Sequence, residues 1–341
     1  MERSAPREAK APSDYLNSRL KRIHGVPKNT HRTITEKKHQ YLIESFMTLT
    51  GTEINDQEDI VSCWKLGPQV TGGRWYDIYR ARPKTLSEDS DYDYVIKTIN
   101  PTLPHSDKQK AIDRLGREAF ATEAIRHNSV IRLLDAELDI APFFLVQPWV
   151  YGRSLDRFFS SAQQVAINRL MWVLRQIAEG IHAGHQCGRV FLGLDPSHVL
   201  LGRTGRVKLI GWSQSHGIGE RVWLPHDQIQ SARYMAPECF VDGYRAKQAS
   251  DVFSLGALIY QSLTLQTPFT GPSIEKIKQA VRQQQNVDLM IRQPMCPKPL
   301  YRLVRKMLSR NPIHRPKFGE VLESLISIEI EHLSDMTVIP L

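Results

Sequence analysis

The dominant hydrophobic period of the chain changes near residue 150. Before that point, apolar positions fall in short runs mixing β-branched and aromatic residues, at 61–66, 75–82, 92–99, 130–138 and 143–150. Such runs suit the pleated, half-buried surface of a sheet. One stretch between them has another period. Within 107–126, Ile112, Leu115, Ala119, Thr122 and Ile125 recur at three- and four-residue steps, which predicts one face of a helix. After Gly152 the helical period dominates, at 155–159, 166–187, 249–265, 273–284, 300–309 and 318–333. The pattern predicts an α+β fold in two lobes, a β-rich one over 58–150 and a mainly helical one over 151–330, with a tail over 331–341. A hinge is expected at 148–152. Residues 1–50 show no sustained period beyond one short amphipathic helix at 41–47, and no internal repeat is visible.

Composition adds exclusions. The chain has 341 residues, 41% hydrophobic and 24% charged, which fits a globular two-lobed body. No apolar stretch approaches the roughly 18 residues of a membrane span. The start, Met1-Glu2-Arg3-Ser4, runs into charged residues without an apolar core, so no secretory signal is expected. Four widely spaced cysteines form no C-x-x-C pair, and the twelve histidines form no H-x-x-x-H pair. Zinc and disulfide frameworks are therefore not expected, and a reducing cytoplasm fits best. Of the net charge of +9, residues 1–40 supply +6 through ten Lys/Arg against four acids. That basic segment is either a solvated, disordered leader or a site for an acidic partner. It lacks the interleaved aromatics that stack on bases, so nucleic acid is not an expected partner.

Several short motifs follow one another in a fixed order. Tyr94-Val95-Ile96-Lys97 is a strand ending in a lysine. Glu118 lies 21 residues on, within the predicted helix. Phe191-Leu192-Gly193-Leu194-Asp195-Pro196-Ser197-His198 precedes an apolar run, and Lys208-Leu209-Ile210-Gly211-Trp212-Ser213 follows. Then come Met235-Ala236-Pro237-Glu238, Ser250-Asp251-Val252-Phe253-Ser254-Leu255-Gly256 and Arg310-Asn311-Pro312-Ile313-His314-Arg315-Pro316. Each is weak alone. In this order and at these spacings, over about 58–330, the chain resembles the protein kinase superfamily, its serine/threonine group more than its tyrosine group.

The resemblance implies a two-lobed kinase fold and assigns roles by position. Lys97 falls where the lysine that grips the ATP phosphates belongs, and Glu118 where its helix partner belongs. The catalytic-loop base falls on Gly193, the second magnesium ligand on His198 and the first magnesium ligand on Gly211. Glycine supplies no side chain, and imidazole nitrogen is a poor ligand for a hard cation. Asp195 stands where a phosphate-contacting basic residue is usual, two positions beyond the base; a displaced base is one reading of it. The glycine-rich loop is reduced to Gly73, with Thr71 and Tyr76 at the other glycine positions. Side chains there hinder backbone approach to phosphate. Val95 adds two methyls to a slot usually alanine, against the adenine. Gln147 is the expected gatekeeper, and the backbone of Pro148 and Val150 still offers hinge hydrogen bonds.

The motifs that persist hold the scaffold. Asp251 is expected to accept from catalytic-loop amides, and Glu238 and Arg315 to form a buried pair. Phe191 and Trp212 stand at positions of an apolar stack linking the lobes. The expected function is that of a catalytically impaired pseudokinase acting as scaffold or regulator through other proteins. Two alternatives stay open: a divergent active serine/threonine kinase, and a magnesium-independent nucleotide-binding module. ATP binding is expected to be weak and magnesium absent. In an emptied cleft, Asp195→Ala and His198→Ala are each expected to cost under about 1 kcal/mol.

Overall fold

A computed structural model describes residues 60–160, 167–222, 229–283 and 296–336. The basic segment 1–50, the helix expected at 41–47 and the end of the tail, 337–341, lie outside the described residues.

The first lobe is a six-stranded antiparallel sheet in the order β1-β2-β3-β4-β6-β5. Its strands are β1 (Ile60–Val61), β2 (Trp64–Gly72), β3 (Tyr76–Pro83), β4 (Tyr94–Ile99), β5 (Asp135–Glu137) and β6 (Phe144–Pro148). Helix α1 (His105–Ala124) crosses between β4 and β5 and buries Ala111, Leu115, Ala119 and Thr122 against the sheet. The run 130–138 is shorter as a strand than its composition predicts. Only 135–137 joins the sheet, while Val130 forms an isolated parallel bridge to Leu209 of the second lobe. Val130 is committed to the junction between lobes while Leu133 and Ala136 pack in the first-lobe core, a division that local β propensity cannot reveal.

The second lobe continues with β7 (Gly152–Ser154), α2 (Leu155–Ser160), α3 (Ile167–Gln186), β8 (Arg189–Val190), β9 (Val199–Gly202), β10 (Val207–Leu209) and β11 (His216–Gly217). Among the described residues, four helices follow the short α4 (Ile229–Ala232): α5 (Gln248–Thr264), α6 (Ile274–Gln283), α7 (Lys298–Met307) and α8 (Phe318–Met336). α5 is enclosed nearly all round, with twelve of its seventeen residues buried, so it forms the axis on which the others pack. The α+β, two-lobed fold predicted from the change of period is the fold observed.

Two small sheets, β10-β9-β7 and β11-β8, sit at the lobe junction. They hold the segments 191–198 and 211–214 edge to edge. One core runs through this junction, joining Ile125 and Val130 to Phe191, Val199, Leu209 and Trp212 and to α5. Between them the rings of Phe191 and Trp212 lie 4.4 Å apart, and both are fully buried. α3 passes beneath at Gly184, where any Cβ would come within 2.7 Å of the Trp212 ring. Helix and indole thus approach as closely as a glycine permits. The Trp212 Nε1–H has no partner among the described residues, so the indole serves there as apolar bulk.

Candidate functional site

The site lies where β3, β4 and α1 face the segments 191–198 and 211–216. Lys97, on β4, extends toward α1, and its ammonium lies 2.6 Å from Glu118 Oε2. The face of Tyr76 covers the same ammonium at 4.4 Å. Tyr76 stands at the start of β3 and is itself buried in the core of the first lobe, where its hydroxyl donates to the Ala111 carbonyl of α1. Burial pushes its phenol above the usual range, so it stays a neutral donor. Lys97 is therefore held by a carboxylate on one side and a ring on the other, and α1 is tied inward from both β3 and β4.

The rest of the nucleotide side is partly closed. Gly73 is exposed and donates its N–H to the Tyr76 carbonyl, closing the hairpin between β2 and β3. Register slips between Leu66 and Gln69 and between Gln69 and Thr71 interrupt β2 just before it. Val95 lies opposite Gln147 across β4 and β6, and Tyr94 opposite Pro148. Gln147 is buried with its Nε2 unpartnered among the described residues. Pro148 and Val150 are half-buried, and between them the Trp149 N–H donates to the Asp93 carbonyl.

The segment 191–198 is anchored from below. Asp251, fully buried on α5, accepts from the Phe191 N–H through Oδ2 and from the Leu192 N–H through Oδ1, each at 2.8 Å. His185 Nε2 donates to the same Oδ2 at 2.7 Å. Leu192 is one of three non-glycine residues with a positive φ among the described residues, at 57°. A branched side chain resists that conformation, and the bond from its N–H to Asp251 holds it there.

Above this anchor His198 turns inward. Its Nδ1 donates to the Gly193 carbonyl at 2.6 Å, which fixes the ring, and Phe191 lies edge-on to it. The ring fills the space beside Gly211. A Cβ on Gly211 would lie 2.2 Å from His198 Cδ2 and 2.6 Å from Nε2, closer than real atoms come. Gly211 also has a left-handed φ of 75°, a conformation that glycine alone adopts freely. Gly193 is different: a Cβ there meets Gln214 at 3.6 Å, an ordinary contact. So no carboxylate fits at 211 while His198 holds its place. Among the described residues, no group of three His, Cys, Asp or Glu side chains could hold a metal ion.

Asp195 corrects an expectation. It is buried, with 4% exposure, and every part of its carboxylate is engaged. Oδ1 accepts from the Ser197 N–H at 2.9 Å and the Ser197 hydroxyl at 2.5 Å; Oδ2 accepts from the Ser231 hydroxyl at 2.7 Å. It caps the turn Pro196–His198 and ties it to α4. Burial alone would raise its pKa, but His198 and the serine donors outweigh that and hold it below the usual carboxylate range. Asp195→Ala strands three donors, and is expected to cost about 2 kcal/mol in a urea melt at neutral pH rather than under 1. This contribution is present above the ordinary carboxylate pKa and disappears as pH falls through the lowered one, so wild type and variant should converge in acid.

Glu238, in the turn Pro237–Phe240, meets Arg315 in a bidentate pair at 2.6 and 2.9 Å. Arg315 is buried, whereas the Glu238 side chain keeps 15% exposure and is half-buried. Further out, the arginines of α1 and β8 bind the segment after Gly211. Arg117 Nε donates to the Ser213 carbonyl at 3.3 Å, and Arg189 Nη2 donates to the Ser215 carbonyl at 3.1 Å. His216 sits among these cations, and burial pushes its pKa down to about 4, so it remains neutral at physiological pH.

Three participants escaped sequence reasoning: His185, Ser231 and the ring of Tyr76 as a lid on Lys97. His185 lies 66 residues from Asp251, and no local spacing marks it. Ser231 was readable only by its place four residues before Met235.

A family model described as "Protein kinase domain" matches residues 83–325. Among curated proteins, the chain is similar to a "Probable serine/threonine-protein kinase" of Streptomyces coelicolor, 24% identical over 260 residues. It is 22% identical over 256 residues to serine/threonine-protein kinase PrkC of Bacillus subtilis, and 24% identical over 280 residues to serine/threonine-protein kinase ULK3 of Xenopus laevis. These alignments cover 74%, 75% and 81% of this chain but 37%, 38% and 56% of the relatives, so the chain corresponds to a part of each.

Proposed function

The chain belongs to the protein kinase family, and from that premise we propose that it is a catalytically impaired member, a scaffold or regulator that works through protein contacts. The observation that carries this reading is the His198 ring in the volume that a side chain at position 211 would need. Phosphoryl transfer is mainly positioning and neutralisation of charge on the phosphates. Here the position of the metal-binding carboxylate is closed, Gly193 has no group to take a hydroxyl proton, and Asp195 is spent on a serine turn. Lys97 is engaged by Glu118 and Tyr76, which supports a structural part for it in holding α1 inward.

The purified chain, given labelled ATP with magnesium or manganese and a general protein substrate, should transfer no phosphate above the level of its Lys97→Ala variant. Nor should magnesium change its melting temperature in millimolar ATP. A magnesium-dependent rise of several degrees, about what 2–3 kcal/mol of linkage gives in a body this size, would contradict the reading. So would transfer that vanishes in Lys97→Ala.

A further inference from the structure

α7 buries Leu300, Leu303, Val304 and Met307 and turns Lys298, Arg302, Arg305 and Lys306 to solvent. Their spacing places the four cations on one side of the helix. An exposed helix face ordinarily interleaves acids with such cations, because like charges three or four residues apart repel. Here there is no acid between Asp288 and Glu320, while the same interval holds eight Lys/Arg. Of these only Arg315 is in an ion pair among the described residues. The helix dipole favours Arg305 and Lys306, in the last turn. It offers nothing to Arg302 and disfavours Lys298, in the first turn. The basic face continues through Arg310 to the turn Pro312–His314. There Ile313 is the most exposed large apolar side chain among the described residues, at 86%, flanked by Arg310 and Lys317.

We infer that this face of the second lobe docks on an anionic bilayer surface. A stripe of unpaired cations matches a plane of lipid phosphates, and each cation near such a surface adds to binding. Ile313 decides between polyanions. A protruding aliphatic tip ringed by cations reaches the headgroup–acyl boundary while the cations stay among the phosphates. Duplex nucleic acid takes an aliphatic tip only as a wedge between base steps, at the cost of unstacking them, and an amphipathic peptide needs a groove where this surface has a knob. The inference concerns a surface away from the cleft and stands whether or not the cleft is active.

The test uses the whole chain with vesicles of phosphatidylcholine alone and of phosphatidylcholine mixed with phosphatidylglycerol. Sedimentation with the mixed vesicles only, weakening as salt shortens the Debye length, is the expected result. The combined variant Arg302→Gln, Arg305→Gln, Lys306→Gln should lower partitioning about 100-fold, and Ile313→Ser roughly tenfold. All four positions are exposed, and unchanged melting temperatures would show that the fold is kept. Three results would overturn the inference. The chain ignores the mixed vesicles; or the combined variant binds them as well as wild type does, which assigns binding to the basic residues before 41; or duplex DNA strips the chain from vesicles at a lower phosphate concentration than the vesicles supply, which assigns the face to nucleic acid.

Discussion

Asp251→Ala should lower the stability of the chain by about 4 kcal/mol, seen as a large fall in the urea midpoint with little change in slope. The carboxylate has 0% exposure and three donors. Removing it leaves the amides of Phe191 and Leu192 and the Nε2–H of His185 buried and unpaired, each at a desolvation cost of about 1–3 kcal/mol. The loss has a second source. Leu192 keeps its φ of 57° only while its N–H is held, so without Asp251 the strain is released by moving the loop. Phe191 would move with it and open the contact with Trp212. Asp251→Asn keeps an acceptor but sets an N–H against one of the donors, and should lose somewhat more than half as much. A cost under about 1 kcal/mol for the alanine variant would mean that the segment 191–198 holds its shape without α5. Should the alanine variant not fold, the asparagine variant answers the same question.

Arg315→Ala should cost about 3 kcal/mol, and Arg315→Lys should recover less than half of it. The guanidinium uses all three nitrogens at once. Nη1 donates to Glu238 Oε1 and the Ala249 carbonyl, Nη2 to Glu238 Oε2, and Nε to the Ser309 carbonyl, and the group stacks at 4.9 Å on the Phe253 ring. An ammonium is a point charge and cannot present a planar fork to a carboxylate while reaching two carbonyls. Glu238 keeps 15% exposure, so water can solvate part of it once orphaned, which is why the cost is set below that of Asp251. Paired melts of Arg315→Ala, Glu238→Ala and the double variant would give the coupling directly. Additive losses would show that the pair is incidental to the stability of the lobe.

The fold was legible wherever the chain repeats a rule over many residues. The helical period of 166–187 and 249–265 gave α3 and α5 within a residue or two at each end, because a long amphipathic or apolar helix is specified many times over. The run 130–138 was not legible, because its apolar residues are split between the junction, at Val130, and the first-lobe core, at Leu133 and Ala136. The site divides in the same way. Positions that carry a motif could be named in advance, since order along the chain is preserved. What those residues touch could not. Nothing near Asp195 announces that Ser231, 36 residues away, donates to it. An acid two positions beyond Gly193, expected to matter little to stability, is instead a buried capping group. The His198 ring beside Gly211 is likewise a fact of packing, not of spacing.

That packing has a consequence for substitution at these positions. A side chain at 193 asks only for ordinary contacts, the nearest with Gln214 at 3.6 Å. At 211 the first atom of any side chain collides with an imidazole fixed by the Gly193 carbonyl, so a substitution there requires the ring to leave that place. Either His198 gives up its bond to the Gly193 carbonyl and swings aside, or position 198 changes as well. The effect of an acidic residue at 211 thus depends on what stands at 198, and the two positions are coupled through sterics rather than through any bond between them.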